Sequence, residues 1–473
     1  MPCEISQGIF VYLFITADGV KRMSVRNMTE GRPIGLILGV AFPLMLGNVF
    51  QQLYTVVDAQ IVGSVVGVSA LAAVGAADWF NWLFLGVVQG LAQGFTIPMA
   101  QAFGAKDHAK LRRCAGNAIV LSVVTAAVIT VIALLTLSPV LTLLDTPAEI
   151  RPMSTAYLTI LFSGLPVVMA YNLAAGVLRA LGDGRSPLLA MVVAALINIG
   201  LDLLFVAGLG WGVGGAAAAT VIAQLCSFVF CLYRLSRIAF VRPEKADLRP
   251  EVPVCANLLQ LGLPISLQNA IIGVGGMVVQ AIVNPFGVTF IAGFTATNKL
   301  YGVLEVAAIS YGYAVSTYAG QNLGAKKPER IRSGVRASAL TGIITAGVIT
   351  AFMFLFGRAI IGSFISGTPE EVAASTQIGW EFLRLMILWL PVLYLLHIYR
   401  SALQGMGNTV MPMASGIAEF VMRTLSALLL PGLIGYSGVF WAEVLAWIGA
   451  DLILMPSYFV SLGKLFRSQK IQA

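Results

Sequence analysis

Long apolar runs separated by short polar gaps dominate this chain from residue 34 onward. A helix needs roughly 20 consecutive apolar residues to cross the hydrocarbon core of a bilayer. Twelve runs reach that length, and each is predicted to form one membrane-spanning helix, numbered span 1 to span 12. The predicted bounds are 34–63, 69–100, 115–138, 153–178, 187–208, 212–236, 257–284, 289–319, 335–357, 376–402, 411–431 and 437–462.

The gaps between the spans alternate in charge. Basic residues concentrate in every second gap and in both terminal segments, whereas the opposite gaps hold Arg151 and Arg358 beside acidic residues. Because basic flanks stay on the cytoplasmic side, we expect a multi-pass protein of the cell inner (plasma) membrane with both termini in the cytoplasm. The basic residues assigned to the cytoplasmic side are Lys21, Arg22, Arg26, Arg32, Lys106, Lys110, Arg112, Arg113, Arg179, Arg185, Arg234, Arg237, Arg242, Lys245, Arg249, Lys326, Lys327, Arg330, Arg332, Arg336, Arg400, Lys464, Arg467 and Lys470.

The second half of the sequence repeats the first. The stretch "AQAFGAKDHAKLRR" (100–113) matches "GQNLGAKKPERIRS" (320–333), and "GVGGAAAAT" (212–220) matches "GYSGVFWAE" (435–443). We therefore predict an all-α integral membrane fold of two homologous six-helix lobes with a central cavity between them. The predicted parts are an N-terminal extension without assigned function (1–33), a first lobe (34–238), a cytoplasmic linker (239–256), a second lobe (257–462) and a cytoplasmic tail (463–473).

Composition narrows the class of protein. Of the 473 residues, 58% are hydrophobic and 11% are charged, whereas soluble proteins carry about 25% charged residues. The net charge of +8 is distributed over the gaps without a broad basic face, so no nucleic-acid partner is expected. The five cysteines and two histidines show no ligand spacing. The sequence therefore predicts no cofactor, no firm metal site and no histidine-based catalytic group.

Two spans of the first lobe carry acids inside their apolar runs. Asp58 lies in span 1, and span 5 carries Asn198 and Asp202 one turn apart. Because an acid at this depth costs several kcal/mol, we interpret these residues as functional. Their oxygens suit Na+, and a buried carboxyl also suits a proton, so H+ and Na+ both stay open. Thr220 of span 6 and Tyr157 of span 4 are candidate neighbours, although a bond within its own helix and a place at the membrane interface explain each of them alone.

The second lobe has a different set of polar residues. Span 7 offers Gln280 opposite the acid of span 1, and Glu305 in span 8 has no partner at helical spacing. We predict that Glu305 and Gln280 face the substrate cavity. Glu419 and Arg423 in span 11 are four residues apart and are predicted to form an internal ion pair that neutralises itself. Glu443 in span 12 is interpreted as a residue near a helix end.

Several stretches resemble the multidrug and toxic compound extrusion (MATE) family. They are "FPLMLGNVFQQLYTVVDAQIVG" (42–63), the Q-x-x-G-A-K loop of both halves, "RALGDGRSP" (179–187) and "NIGLDLLF" (198–205). The similarity covers roughly residues 29–465 and is closest to the prokaryotic branch with its coupling acids in the first lobe. Families of this kind export organic cations or amphipathic drugs in exchange for H+ or Na+. The resemblance implies a cation-coupling site at Asp58, Asn198, Asp202, Thr220 and Tyr157.

Three hypotheses follow. The leading one is a monomeric antiporter that works by alternating access, with membrane lipids and a small organic cation or amphipathic compound as its partners and H+ or Na+ as its coupling ion. A flippase for lipid-linked saccharides would share the architecture, but we would expect a more cationic cavity for its pyrophosphate. A membrane-embedded enzyme would need a catalytic constellation that the sequence lacks.

Overall fold

The computed structural model describes residues 25–143, 146–365 and 368–472. Every regular element in these ranges is a helix, which confirms the all-α fold predicted from the sequence. Helices occupy all the predicted spans, and three short helical segments lie between them. The spans are Pro33–Val65, Val68–Gly104, His108–Leu143, Arg151–Ser163 with Leu165–Ala180 (span 4), Arg185–Asp202 continued by the π-helix Leu203–Gly208 (span 5), Gly212–Ser236, Val252–Val283, Val288–Gly324, Pro328–Phe364, Pro369–Gly405, Val410–Leu429 and Ser437–Gln472.

Not every span satisfies a simple hydropathy criterion. Ten helices in the described part of the chain are long and apolar enough to cross a membrane, or 11 if span 4, whose halves meet at 45°, counts as one span. The bend follows Gly164, where Pro166 removes a backbone donor from the helix. Span 8 is not among the 11, although it has 37 residues. It carries Lys299, Glu305 and many hydroxyl side chains, which lower its mean hydropathy.

Each lobe has its own buried apolar core. In the second lobe, aromatic rings from spans 8, 10 and 12 stack on one another. The centroid of Phe382 lies 5.0 Å from that of Phe294 and 4.8 Å from that of Phe440. Such ring pairs add stability beyond the area they bury. The core of the second lobe also includes Ile37 and Leu44 of span 1, so the first helix of one lobe packs into the other.

Small residues bring the two lobes together along spans 2 and 7. A Cβ atom at Gly94 would overlap the backbone of Gly262, and one at Gly90 would lie 2.6 Å from the Cα of Ser266. The Ser266 hydroxyl donates a hydrogen bond to the carbonyl of Val87 at 2.9 Å, and the Asn269 amide donates one to Gly86 at 2.9 Å. Close backbone approach between small residues is the usual basis of helix association in lipid.

Gly94→Ala is therefore expected to destabilise the lobe interface. The added methyl group meets backbone rather than a movable side chain, so we expect a loss of about 1–3 kcal/mol, as in overpacked cores. Thermal unfolding of the purified protein measures it. Gly75→Ala is the matched control, because it lies on the same helix and its Cβ would meet nothing within 4 Å. Equal effects of the two substitutions would contradict this account of the interface.

The lobes also meet at the end of the molecule that carries Lys106 and Lys326, which we call the basic end. A Cβ atom at Gly104 would overlap the carbonyl of Gln321, and one at Gly324 would overlap that of Gln101. Lys106 and Lys326 follow these glycines with φ of 59° and 56°. The two Q-x-x-G-A-K loops thus adopt the same turn and pack against each other across the interface.

Residues 25–32 form a segment that joins both lobes at the basic end; residues 1–24 of the predicted extension lie outside the described residues. The backbone N–H of Arg26 donates to the carbonyl of Leu181 in the first lobe at 3.0 Å. Met28 is fully buried, and its N–H donates to Gln321 Oε1 at 2.8 Å. Arg330 donates to the carbonyl of Met28 at 3.2 Å. The segment is therefore part of the packed structure.

The linker between the lobes is held by span 3. Asn117 is fully buried, and its Oδ1 accepts the N–H of Glu251 at 2.7 Å. Its amide lies 3.3 Å from the carbonyl of Asp247, while Arg112 lies 3.7 Å from the Asp247 carboxylate. Span 7 begins at Val252, directly after this anchored turn.

Candidate cation site and second-lobe ion network

Spans 1 and 5 bring three oxygen-bearing side chains into the first lobe. Asp58 is 9% exposed, while Asn198 and Asp202 are fully buried. Asn198 and Asp202 lie one helical turn apart, and Asp202 is the last residue before the π-helix of span 5. Such wide turns are frequent at functional sites.

The carboxyl groups of Asp58 and Asp202 face each other across the two helices. They lie within hydrogen-bonding range when one of them carries a proton. With both ionised there is no donor, and one oxygen of Asp58, both oxygens of Asp202 and the amide oxygen of Asn198 have no hydrogen-bond partner in the described part of the chain. Buried oxygens without partners are rare in proteins. A shared proton or a Na+ ion would satisfy them.

The other two predicted members lie beside these acids. The Asn198 amide donates to the Thr220 hydroxyl at 3.5 Å. Tyr157 is 7% exposed and close enough to both carboxylates to interact with them electrostatically. The structure therefore brings together all five first-lobe residues singled out in the sequence.

Sequence reasoning missed two neighbours of this site. Tyr54 lies one turn before Asp58 and is within electrostatic reach of the same carboxylates, and Gln224 lies one turn after Thr220 and within hydrogen-bonding range of Tyr54. Both stand at i,i+4 spacing from a predicted member. That spacing was the available signal.

The predicted cavity residues of the second lobe have different surroundings. Glu305 is paired across helices, because His397 Nε2 of span 10 lies 3.3 Å from Glu305 Oε1. Sequence reasoning missed this contact, since the two residues are 92 positions apart. Gln280 is half-buried in span 7. A small cavity of about 20 Å³ lies between the lobes and is lined in part by Gln93, Thr96, Arg179, Tyr313 and Thr317.

Glu419 and Arg423 belong to a longer chain of charges. Arg423 Nη2 lies 3.0 Å from Glu419 Oε1, and the same nitrogen lies 2.9 Å from Glu443 of span 12. The other oxygen of Glu419 lies 2.7 Å from Arg400 of span 10. We call these four residues, Arg400, Glu419, Arg423 and Glu443, the second-lobe ion network.

The network corrects two interpretations made from the sequence and adds a contact for a third residue. The pair of Glu419 and Arg423 does not neutralise itself in isolation, because each residue has a second partner. Arg400, assigned to a cytoplasmic gap, is 7% exposed inside the helix Pro369–Gly405. Glu443 lies in the second turn of its helix, near the helix end as expected, and is paired there with Arg423 of span 11. The sequence missed these contacts because they join different spans.

The candidate cation site offers oxygen atoms as its possible ligands. No group of three or more His, Cys, Asp and Glu residues able to hold a metal ion occurs within residues 25–143, 146–365 and 368–472. The first-lobe oxygens come from two carboxylates and one amide, a set suited to a hard monovalent cation or a proton.

Comparison with known proteins identifies the family. A family model described as MatE matches residues 43–204 and 264–429, which is one match in each lobe. The chain belongs to the MatE family. The resemblance to this family drawn from the sequence is thereby confirmed, and this MatE protein is a multi-pass membrane transport protein of a family without enzymatic activity.

Curated relatives cover between 68% and 88% of the chain. The probable multidrug resistance protein YpnP of Bacillus subtilis is 28% identical over 419 residues, covering 88% of this chain and 93% of its own length. The probable multidrug resistance protein YoeA of the same organism is 28% identical over 332 residues, covering 68% and 72%. The FAD transporter of Shewanella oneidensis is 23% identical over 419 residues, covering 85% and 89%.

Solved structures share the fold. One is an outward-facing multidrug resistance MATE family transporter of the MOP superfamily, which superposes with a TM-score of 0.87 at 22% identity. The match covers 94% of this chain and 99% of that one. At this identity the likeness establishes the fold of our MatE protein and nothing further about its cargo.

Proposed function

We propose that this protein is a secondary active transporter that exports organic cations or other amphipathic drugs in exchange for H+ or Na+. The observation that carries the proposal is the buried pair of Asp58 and Asp202, whose oxygens lack hydrogen-bond partners among the described residues. Membership of the MatE family and relatives named multidrug resistance proteins support this class of cargo.

The proposed mechanism is alternating access. Binding of H+ or Na+ reduces the negative charge of the facing pair Asp58 and Asp202, with Asn198, Thr220 and Tyr157 as neighbours, and changes how spans 1, 5 and 6 pack. A ligand shifts a conformational equilibrium only when its affinity differs between the two states. A cation bound between two facing acids meets that condition, because the separation of the acids depends on the packing of spans 1 and 5.

The setting we propose is the plasma membrane, with the basic end in the cytoplasm. The charge asymmetry of the gaps supports this orientation. In that orientation, the glycine contacts and the segment 25–32 close the cytoplasmic side. We further propose that the protein works as a monomer among membrane lipids, with Glu305 and Gln280 facing cationic cargo.

One observation favours a second candidate cargo, an anionic compound such as a lipid-linked saccharide. The guanidinium of Arg179 stands 4.6 Å from the ring centre of Tyr313 at the cavity between the lobes. It has no carboxylate within ion-pair distance in the described residues. One relative is named FAD transporter, and the pyrophosphate of FAD is anionic.

Transport in proteoliposomes tests the function. The purified protein is reconstituted, and export of a panel of fluorescent organic cations is measured under an imposed pH gradient and, separately, an imposed Na+ gradient. We expect one gradient to drive cation export and its collapse to stop it. Transport that ignores both gradients would refute antiport, and transport of an anionic dye in place of every cation would favour the second candidate.

A further inference from the structure

The second-lobe ion network is a compact, buried and neutral unit. Its side chains are 6–9% exposed except for that of Glu443, which is 16% exposed. Two guanidinium and two carboxylate groups give it a formal charge of zero. Buried ion pairs are weak contributors to stability compared with apolar packing, so a network of this kind calls for a specific explanation.

The internal repeat shows which residues of the first lobe correspond to those of the network. The alignment that pairs Gly182 with Gly407 also pairs Asn198 with Arg423. The alignment of residues 212–220 with 435–443 pairs Thr220 with Glu443. Arg423 therefore stands in the second lobe where Asn198 stands in the first, and Glu443 stands where Thr220 stands.

The contacts obey the same correspondence. In the first lobe Asn198 donates to Thr220 at 3.5 Å, and in the second Arg423 donates to Glu443 at 2.9 Å. The contact between spans 5 and 6 thus recurs between spans 11 and 12. The equivalent of Asp202 is Ala427, which is fully buried. The second lobe has lost the acid of the cation site and gained a covalently attached positive charge.

We propose that Arg423 is a tethered cation, whose guanidinium takes in the second lobe the place that H+ or Na+ takes in the first. The inference rests on the proposed function of the first-lobe site. In this arrangement the second lobe keeps its cation-bound packing throughout the cycle, and only the first lobe exchanges an ion with solution.

The net charge of the second-lobe ion network depends on the guanidinium of Arg423. Removing the guanidinium leaves the pair of Arg400 and Glu419 in place, with their atoms 2.7 Å apart. Glu443 then has no cationic partner within the network, and the net charge falls to minus one. One monovalent cation restores neutrality, so Arg423→Gln is expected to create a site for Na+ or a proton at Glu443.

Other titratable groups face the network and must be distinguished from Glu443. Asp451 of span 12 lies within electrostatic reach of Arg400 and Glu419, and His397 of span 10 lies within reach of Glu419. Glu305 of span 8 lies within electrostatic reach of Glu443, and Tyr301 of the same span lies within reach of Arg423. If one of these groups caused a change of Tm with Na+ or pH, that change would persist after removal of the Glu443 carboxylate.

The experiment measures thermal unfolding of the full-length purified protein in the Asp202→Asn background, so that the first-lobe site does not contribute. Na+ is titrated against choline at constant ionic strength, and pH is varied separately. We expect Arg423→Gln to gain on the order of 5 °C in Tm on saturation with one of the two cations. Chains that retain Arg423, or carry the charge-conserving Arg423→Lys, are expected to show no such gain.

The double variant Arg423→Gln/Glu443→Gln is the matched control, because it restores neutrality without a cation. It is expected to fold and to show no gain in Tm with Na+ or with lower pH beyond that of the chain that retains Arg423. If Arg423→Gln alone is too unstable to melt, its recovery after purification with and without Na+, and at low and high pH, gives the same comparison.

An Arg423→Gln protein whose Tm is unchanged by both cations would overturn the proposal, as would a gain in Tm that persists in the double variant. Because the first-lobe site is disabled throughout, failure of antiport itself would leave this result unchanged.

Discussion

Asp202→Asn is expected to reduce gradient-driven export to the level of protein-free liposomes. Asp202 is fully buried, and both of its oxygens lack hydrogen-bond partners in the described residues. An amide of the same size keeps the packing but neither binds a proton at working pH nor contributes charge to a Na+ site. The two conformations then lose their differential response to the ion. Transport assays in proteoliposomes under both gradients measure the loss.

Asp451→Asn is the matched control for this substitution. Asp451 is also buried inside a span, at 6% exposure, and its oxygens also lack partners among the described residues. It lies in the second lobe, away from the proposed coupling site. We expect Asp451→Asn to transport like the unaltered protein. If both variants fail equally at equal expression, coupling would not be a property of the first lobe alone.

Glu419→Gln is expected to cause the largest loss of stability among single changes in the second lobe. Glu419 lies between two arginines, 2.7 Å from Arg400 and 3.0 Å from Arg423, and is 4% exposed. Its neutralisation leaves two buried guanidinium groups with Glu443 as their only counterion in the network. Breaking a buried ion network by removal of one partner costs about 3–5 kcal/mol. Thermal unfolding should show a Tm lowered by roughly 10 °C.

Glu381→Gln controls for the loss of an acid from the same region. Glu381 lies in span 10 and accepts hydrogen bonds from Gln377 and Tyr436 at the opposite end from the basic end. Exposed polar pairs of this kind contribute at most about 1 kcal/mol. A Tm change in Glu419→Gln no greater than that in Glu381→Gln would show that the network is dispensable for stability.

Most of the fold could be predicted from the sequence, because each membrane-spanning helix is indicated by its own apolar run. A run of apolar residues long enough to cross the bilayer predicts a helix without knowledge of its neighbours. Span 8 shows the limit of hydropathy alone. Its apolar run was long enough to predict the helix, and the Q-x-x-G-A-K loop that follows both span 2 and span 8 supports it, because Lys106 and Lys326 share one backbone conformation.

The first-lobe site was also accessible from the sequence, because an acid inside an apolar run is visible without a structure. The partners of other charges were not. Arg400 and Glu419 are 19 positions apart, and Glu305 and His397 are 92 apart, on helices whose relative rotation the sequence does not encode. Helical spacing predicts contacts only between residues of the same helix. It therefore predicted the contact of Arg423 with Glu419 and missed the contact with Glu443 on span 12.

The segment 25–32 has a consequence for how the protein is made. Ribosomes deliver the chain from its N-terminus, and lobes of this size begin to fold as they emerge. Met28 hydrogen-bonds to Gln321, 293 positions later, so its main partner does not exist until the second lobe is being synthesised. Met28 therefore reaches its final contact only after much of the second lobe has been made. Once the segment contacts Gln321 and Arg330 as well as Leu181, it connects the two lobes of the finished protein.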